Sequence, residues 1–332
     1  MSNIVCGKDI TENIAAALGD CKLTVTDSNL RALYPELLGD AFVIEAGEKS
    51  KNIDTLCSIL AEMHRRGLQR RDRVAAFGGG VVGDITGLAA ALYMRGIEWI
   101  NVPTSLLAMV DAGIGGKTAI DFDGVKNLVG AFHEPTDIYV NVGFLKTLPD
   151  REWLCGSGEL VKTCALDAAA YKKLNENIDL LLNKDVDGVY LLIECAIEIK
   201  NGVVTADLRE SGLRKILNVG HTVGHALESL DGYKLGHGEY VFKGMMVEAA
   251  MFKEDMDKAF FDGYVKLIKL FTRPPVSSAN AVCSLAMSDK KNTAGTISIM
   301  VPITAGDVKE YKIEPTEFKT RYDEAVKELK VK

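Results

Sequence analysis

Three of the chain's five histidines fall within seventeen residues, in RKILNVGHTVGHALESLDGYKLGHGEY, residues 214 to 240. Two neutral imidazoles and one carboxylate make a three-ligand set with open coordination positions, which is what a catalytic divalent ion needs. Glu159, in SGELVKTCALD, supplies the carboxylate and shares a helical face with Lys162 three residues on. Taken alone, that spacing predicts an exposed ion pair worth about 0.2–1 kcal/mol. Only the need of the histidines for an acidic partner lifts it above that. Spacing leaves two histidine pairs open, His221 with His225 or a pair that uses His237.

Counting back from His225 by helical steps gives His221, Asn218 and Arg214 on one face, while Ile216, Leu217, Val219, Val223 and Leu227 occupy the others. Arginine, asparagine and two histidines are unusual choices for simple solvation, so this face is expected to be functional. A second helix, YLLIECAIEIKNGVV, puts Lys200 on a stripe with Ile193, Ala196, Ile197 and Val204. An ammonium at an apolar position must meet a carboxylate or an anionic ligand, or lose its proton.

A different chemistry is suggested by FGGGVVGD, which follows the strand-like RVAAF and precedes the helix-compatible ITGLAAALYM. Gly78, Gly80 and Gly83 fit the GxGxxG spacing that lets backbone amides approach a pyrophosphate at a helix N-terminus. A second glycine-rich stretch, VDAGIGGKTAIDFDGVKN, supplies Lys117 and Lys126 beside a flexible backbone; a plain surface loop would explain its glycines but not the rest.

The elements that must hold these groups divide into two. Up to about residue 145, KLTVTD, AFVIEAG, RVAAFGGG, IEWINVPT and DIYVNV read as strands. DTLCSILAEMHRRG (54–67) reads as a helix ended by Gly67. Strands alternating with helices predict a mostly parallel sheet covered on both faces. Beyond LKTLPDREW helical periodicity dominates until GTISIMVPI near 295. The expectation is an α/β Rossmann-like domain over 1–145 and a mainly α-helical domain over 146–332.

Composition bounds the partners. Acidic residues outnumber basic ones 46 to 39, which excludes a general electrostatic pull toward nucleic acid or anionic membrane. Any anionic ligand must therefore be met by local cations. Seven dispersed cysteines without a CxxC pair argue against a disulfide framework and for a reducing, cytoplasmic setting. No uncharged apolar run approaches the roughly 20 residues of a membrane span.

With these segments assembled, the chain resembles the 3-dehydroquinate synthases of the sugar phosphate cyclase family. The resemblance rests on GGGVVGDITG, YMRG, VPTSLLAMVDAGIGGKTAID, KNLVGAFHEP, LKTLPDRE, GELVKT, ESGLRKILNVGHTVGHALE and HGEYVFKGM, in that order over nearly the whole chain. It implies conversion of 3-deoxy-D-arabino-heptulosonate 7-phosphate to 3-dehydroquinate and phosphate, with NAD and zinc or cobalt. It implies Glu159, His221 and His237 as metal ligands, leaving His225 for substrate. Asp111, Lys117, Asn127, Lys162, Lys200, Arg214 and Asn218 match substrate-site positions, as does Lys290 or Lys291. Arg95, in YMRG, matches an arginine offered to the neighbouring subunit of a homodimer. For NAD the matches are Asp27, Asn29, Glu48, Lys51, Gly79, Gly80, Val81, Asp84, Thr104, Ser105, Asp111, Lys117, Lys126 and the run Phe144, Leu145, Lys146, Thr147, Leu148. The alternatives are another sugar phosphate cyclase, whose substrates lack the carboxylate that Lys200 and Arg214 would bind, and a metal-dependent alcohol or glycerol dehydrogenase.

Overall fold

The computed structural model describes residues 2–207, 212–288 and 295–331. Lys290 and Lys291 lie outside the described residues. The chain divides into two compact units, Met1–Leu148 with Asp185–Tyr190, and Pro149–Lys184 with Leu191–Lys332.

The first unit is built on six strands: β1 (Asn3–Gly7), β2 (Leu23–Asp27), β3 (Phe42–Ile44), β4 (Arg73–Gly78), β5 (Glu98–Pro103) and, after a hairpin, β8 (Asp137–Asn141). They form one sheet in the order β1-β8-β5-β4-β2-β3, and every pairing is parallel. The central strands are apolar along their length because both faces are covered. In β4, Val74 to Gly78 are all buried, and Ala75 and Ala76 leave room for helices above and below. The helix Ile53–Arg65 is amphipathic, buries Leu56, Ile59 and Met63 on the sheet, and starts where Asn52 accepts the Thr55 N–H at 2.9 Å. Such a cap is worth about 1 kcal/mol. Gly67, at φ +65°, ends it as expected, with the Leu68 N–H returning to the Met63 carbonyl.

The second glycine-rich stretch, expected to have a flexible backbone, runs into an antiparallel hairpin, β6 (Lys117–Phe122) with β7 (Val125–Phe132). Asp123 and Gly124 form its two-residue turn, at φ +51° and +75°, the left-handed pair that an Asp-Gly turn supplies. The hairpin lies over the helix Gly80–Leu92. A Cβ on Gly87 would meet Thr118 Cγ2 at 2.4 Å and the Trp99 ring at 2.8 Å. That helix is apolar nearly all round because it is covered on more than one side.

The second unit is mainly helical, with one antiparallel hairpin, β9 (Ile297–Thr304) and β10 (Asp307–Ile313). Two of its helices are buried almost throughout, Asp150–Ala165 from Cys155 onward and His237–Met251 from Gly238 onward. Tyr240, Phe242, Tyr264, Phe318 and Tyr322 fill the space around them. Both of these largely buried helices carry candidate site residues.

Candidate active site

In the second unit the histidine cluster and Glu159 meet. The Nε2 atoms of His221 and His237 lie 3.3 and 3.2 Å from the same oxygen, Oε1 of Glu159. Lys162 ion-pairs with the other oxygen of Glu159. The surface ion pair suggested by their spacing is corrected here, since both side chains are within 1% of complete burial. The ring of His225 lies 5.0 Å from His221 and 5.6 Å from His237, and the ring nitrogens of the three histidines could ligate within 4.8 Å of one another.

The helical count from Arg214 to His225 does not survive. Leu213–Asn218 is a separate short 3-10 turn, and a new helix starts at His221 after Gly220 at φ +77°. The break is forced by packing. A Cβ on Gly244 would fall 1.9 Å from the Gly220 carbonyl oxygen, and one on Gly220 would fall 2.8 Å from the Val241 carbonyl oxygen. Gly158 and Gly238 make a second backbone-to-backbone crossing. A Cβ on Gly238 would lie 1.8 Å from the Cys155 carbonyl oxygen, and one on Gly158 2.3 Å from the Gly238 carbonyl oxygen. At that crossing Cys155 Sγ accepts the Gly238 N–H at 3.4 Å. The small residues of CGSGE thus let the helix of Glu159 touch the helix that begins with His237.

Two buried glutamates that sequence reasoning missed hold the histidines. Glu248 accepts the N–H groups of Gly220 and Val223, at 2.7 and 2.8 Å, at the start of the His221 helix. Glu228 Oε2 lies 3.0 Å from His237 Nδ1, while His221 Nδ1 lies 3.0 Å from the Val219 carbonyl. The signal was an acidic residue inside an apolar run, in MMVEAAM and HALESL. Tyr240 fixes the intervening loop by accepting the Leu235 N–H and donating to Asp231.

The electrostatics call for a cation. Burial would raise the Glu159 carboxyl, but Lys162 and His221 hold it well below the usual range. Burial pushes His221 down to about 4, against the pull of Glu159. Burial would lower His237 too, yet its hydrogen bonds to Glu159 and Glu228 push it up to about 10. Burial thus leaves His221 a neutral imidazole with a lone pair to donate, while the two carboxylates around His237 favour positive charge on it. Both Glu159 oxygens are buried, Oε2 against Lys162 and Oε1 against the Nε2 atoms of both histidines. A buried carboxylate oxygen facing two imidazole nitrogens across about 3 Å is an arrangement that a shared cation completes. The donor set therefore fits a divalent ion.

Elsewhere in this unit Lys200 is 5% exposed on the helix Val186–Ala206, with Ile193, Ala196, Ile197 and Val204 on its stripe. Arg214 is buried and Asn218 half-buried in the turn leading to His221. Asp207 receives the backbone N–H groups of Gly212 and Arg214.

In the first unit the expected nucleotide-binding residues gather at the carboxyl ends of the strands. Asp27 ends β2, and its Oδ1 caps the next helix by accepting the N–H groups of Asn29 and Leu30. Gly79 caps the helix Gly80–Leu92, whose first turn holds Val81 and no acidic residue. Thr104, just after β5, donates its N–H to the Gly78 carbonyl, and Ser105 Oγ would lie 3.4 Å from a Cβ on Gly79. Such free helix amides suit an anion. Lys51, after the short turn that begins with Glu48, is 5% exposed and meets Asp84 at 2.5 Å and Asn127 Oδ1 at 2.5 Å. Burial pushes the Asp84 carboxyl up to about 6 despite Lys51. Asp111 sits in the turn Ala108–Ala112, and Lys117 and Lys126 on the hairpin. Phe144 packs edge-on against Phe77 and Tyr34, within the turn that also carries Leu145, Lys146 and Thr147 and ends at Leu148. Met94 and Arg95 both have positive φ, +50° and +68°, ahead of Gly96. Left-handed backbone costs such residues about 1–2 kcal/mol each. Arg95 is exposed.

The family models for the N-terminal and C-terminal parts of 3-dehydroquinate synthase match residues 41–155 and 156–292. A 3-dehydroquinate synthase of Alkaliphilus metalliredigens (strain QYMF) is 36% identical over 96% of this chain and 94% of its own length. Another, of Caulobacter vibrioides (strain NA1000 / CB15N), is 38% identical over 89% of this chain and 87% of its own. Among solved structures, a 2-epi-5-epi-valiolone synthase from Streptomyces hygroscopicus with NAD+ and Zn2+ bound aligns over 99% of this chain and 97% of its own, with a TM-score of 0.87 and 27% identity.

Proposed function

The chain belongs to the 3-dehydroquinate synthase family, and from that premise we propose that it converts 3-deoxy-D-arabino-heptulosonate 7-phosphate to 3-dehydroquinate and phosphate in the shikimate route to aromatic amino acids. The observation that carries the reading is the buried Glu159 oxygen, 3.3 and 3.2 Å from the Nε2 atoms of His221 and His237, with Lys162 on the same carboxylate. Glu159, His221 and His237 would hold the divalent ion. The helix start at Gly79, Gly80 and Val81, with Asp27, Asn29, Glu48, Lys51, Asp84, Thr104, Ser105, Lys126 and the 144–148 turn, would hold NAD.

When bound, NAD supplies a hydride acceptor regenerated within the turnover, and the divalent ion supplies Lewis acidity toward the substrate's hydroxyls. The chain's own residues do the rest. Lys162, Lys117, Asn127 and His225 bind the phosphate and stabilise its charge as it departs. Lys200 and Arg214 take the carboxylate, where a guanidinium can bind both oxygens at once. Asp111, Asn218 and Lys290 or Lys291 orient the remaining polar groups. An acidic protein with an anionic substrate thus receives it on local cations.

The assembly is a homodimer in which Arg95 reaches the neighbouring subunit's site. Exposed apolar side chains on the hairpin, Phe122, Val125, Val129 and Phe132, support a covered surface there, and the left-handed backbone at Met94 and Arg95 supports a functional constraint. All seven cysteines are free thiols, which supports a cytoplasmic setting. No described helix is long and apolar enough to cross a membrane.

The test is phosphate release from the heptulosonate phosphate, with and without NAD and a chelator, while NADH absorbance is followed. The proposal expects release that needs both NAD and metal with no net NADH. Accumulation of NADH with simple polyols, and no phosphate release, would favour a dehydrogenase and overturn it.

A further inference from the structure

Each of the two histidine-bearing helices supplies a buried carboxylate to the other. The helix His221–Leu230 carries Glu228, whose Oε2 lies 3.0 Å from Nδ1 of His237, the first residue of the other helix. The helix His237–Met251 carries Glu248, whose two oxygens receive the Gly220 and Val223 N–H groups at 2.7 and 2.8 Å, where the His221 helix begins. Glu228 is 7% exposed and Glu248 1%. A carboxylate at a helix N-terminus is stabilising, the more so where water is excluded.

We propose that Glu228 is the positioning residue that presents His237 Nε2 to the metal, as one half of a reciprocal clamp whose other half, Glu248, sets the helix start that carries His221. The proposal rests on the reading that Glu159, His221 and His237 hold a divalent ion. A neutral imidazole has one lone pair. When Nδ1 keeps its hydrogen and donates it to Glu228, the lone pair is on Nε2, the atom that faces Glu159. His221 is fixed in the same sense by the Val219 carbonyl, a neutral acceptor. A carboxylate acceptor orients an imidazole and raises its donor strength more than a carbonyl does. The two histidines are therefore unequal ligands, with His237 the stronger donor. Gly220, Gly224 and Gly244 complete the device, because they let the backbones of the two clamped helices touch.

The experiment is competition for Co2+ between the full chain and a coloured chelator, together with the visible spectrum of the bound ion and the melting temperature of the metal-free protein. Wild type, H237A, E228Q and E228D are compared. H237A comes first. If it binds cobalt as tightly as wild type, the metal reading itself fails. With H237A weakened, E228Q, which keeps the shape and removes the charge, is expected to raise the cobalt dissociation constant about 10–100-fold and to change the cobalt spectrum. E228D keeps the charge at a shorter reach and is expected to recover part of the loss. Wild-type affinity and spectrum in E228Q overturn the proposal, even if its melting temperature falls, since that is the mark of a purely structural residue. If E228Q does not fold, E228D decides: a reduced affinity supports the clamp, and wild-type affinity overturns it.

Discussion

The two units place functional groups by opposite means. In the first, the candidate nucleotide-binding groups stand where parallel strands end and helices begin, and backbone amides are a large part of the chemistry. Gly79 caps its helix with ordinary contacts around it, the nearest being Ser105 Oγ at 3.4 Å from a Cβ position. In the second, the chemistry is carried by side chains on buried helices, and glycines serve to bring those helices together. At Gly238 the same Cβ position is 1.8 Å from a carbonyl oxygen. At Gly79 the missing side chain leaves space beside the helix amides, whereas at Gly238, as at Gly87 in the first unit, it makes room for the protein itself.

The strongest way to break that contrast is at the side chains of the second unit. H221A and K162A are each expected to lower kcat about 100-fold or more, because Lys162 would stabilise charge on the departing phosphate and His221 would hold the divalent ion. Their circular dichroism should match that of wild type. Retention of near-normal turnover in either variant would remove that residue from the mechanism. Next in size is G238A, where backbone must move to admit a methyl group. A loss of about 1–3 kcal/mol in urea unfolding is expected, with weaker cobalt binding alongside. A stable G238A with wild-type metal affinity would mean that the crossing does not set the ligands.

G79A probes the other unit. Its fold should be unaffected, while the dissociation constant for NAD, read by titration calorimetry, rises about tenfold, as expected for weakening one charge-assisted backbone contact. An unfolded G79A would erase the distinction between the two kinds of glycine. The smallest effect concerns Asp84. Its carboxyl rises from 3.8 to about 6 through burial, against Lys51. Between those values the folded state binds more protons than the unfolded one, so this group's contribution to stability falls as pH rises through the window and is constant above it. D84N lacks that slope. Unfolding curves at several pH values should show the advantage of wild type over D84N shrinking from about pH 4 to about pH 6, and a flat difference would refute the assignment.

Much of the first unit was legible because its physics is periodic. After their charged first residues RVAAF and EWINV are buried along their length, with Asn101 the one polar side chain, since each strand is covered on both faces, and Gly67 ends its helix where the pattern stops. The hairpin is less legible although Asp123-Gly124 is a strong turn signal, because its exposed residues, Leu128 and Val129 among them, do not alternate in polarity. In the second unit the residue types pointed to the site while the helical count misled. Arg214 and His225 are separated by a left-handed glycine, and a periodic argument assumes an unbroken helix. The partners of Glu228 and Glu248 are not legible in sequence for a related reason. Each glutamate looks like an isolated acid in an apolar run until the partner helix, distant in sequence, is brought against it.

The central claim is that Glu159, His221 and His237 share one divalent ion. Crystals grown with Zn2+ and measured on either side of the zinc absorption edge test it directly. The account predicts a single strong anomalous peak within bonding distance, about 2.0–2.2 Å, of Glu159 and of Nε2 of both histidines. A peak bound by His221 and His225 without Glu159, or no peak at this cluster, would contradict it.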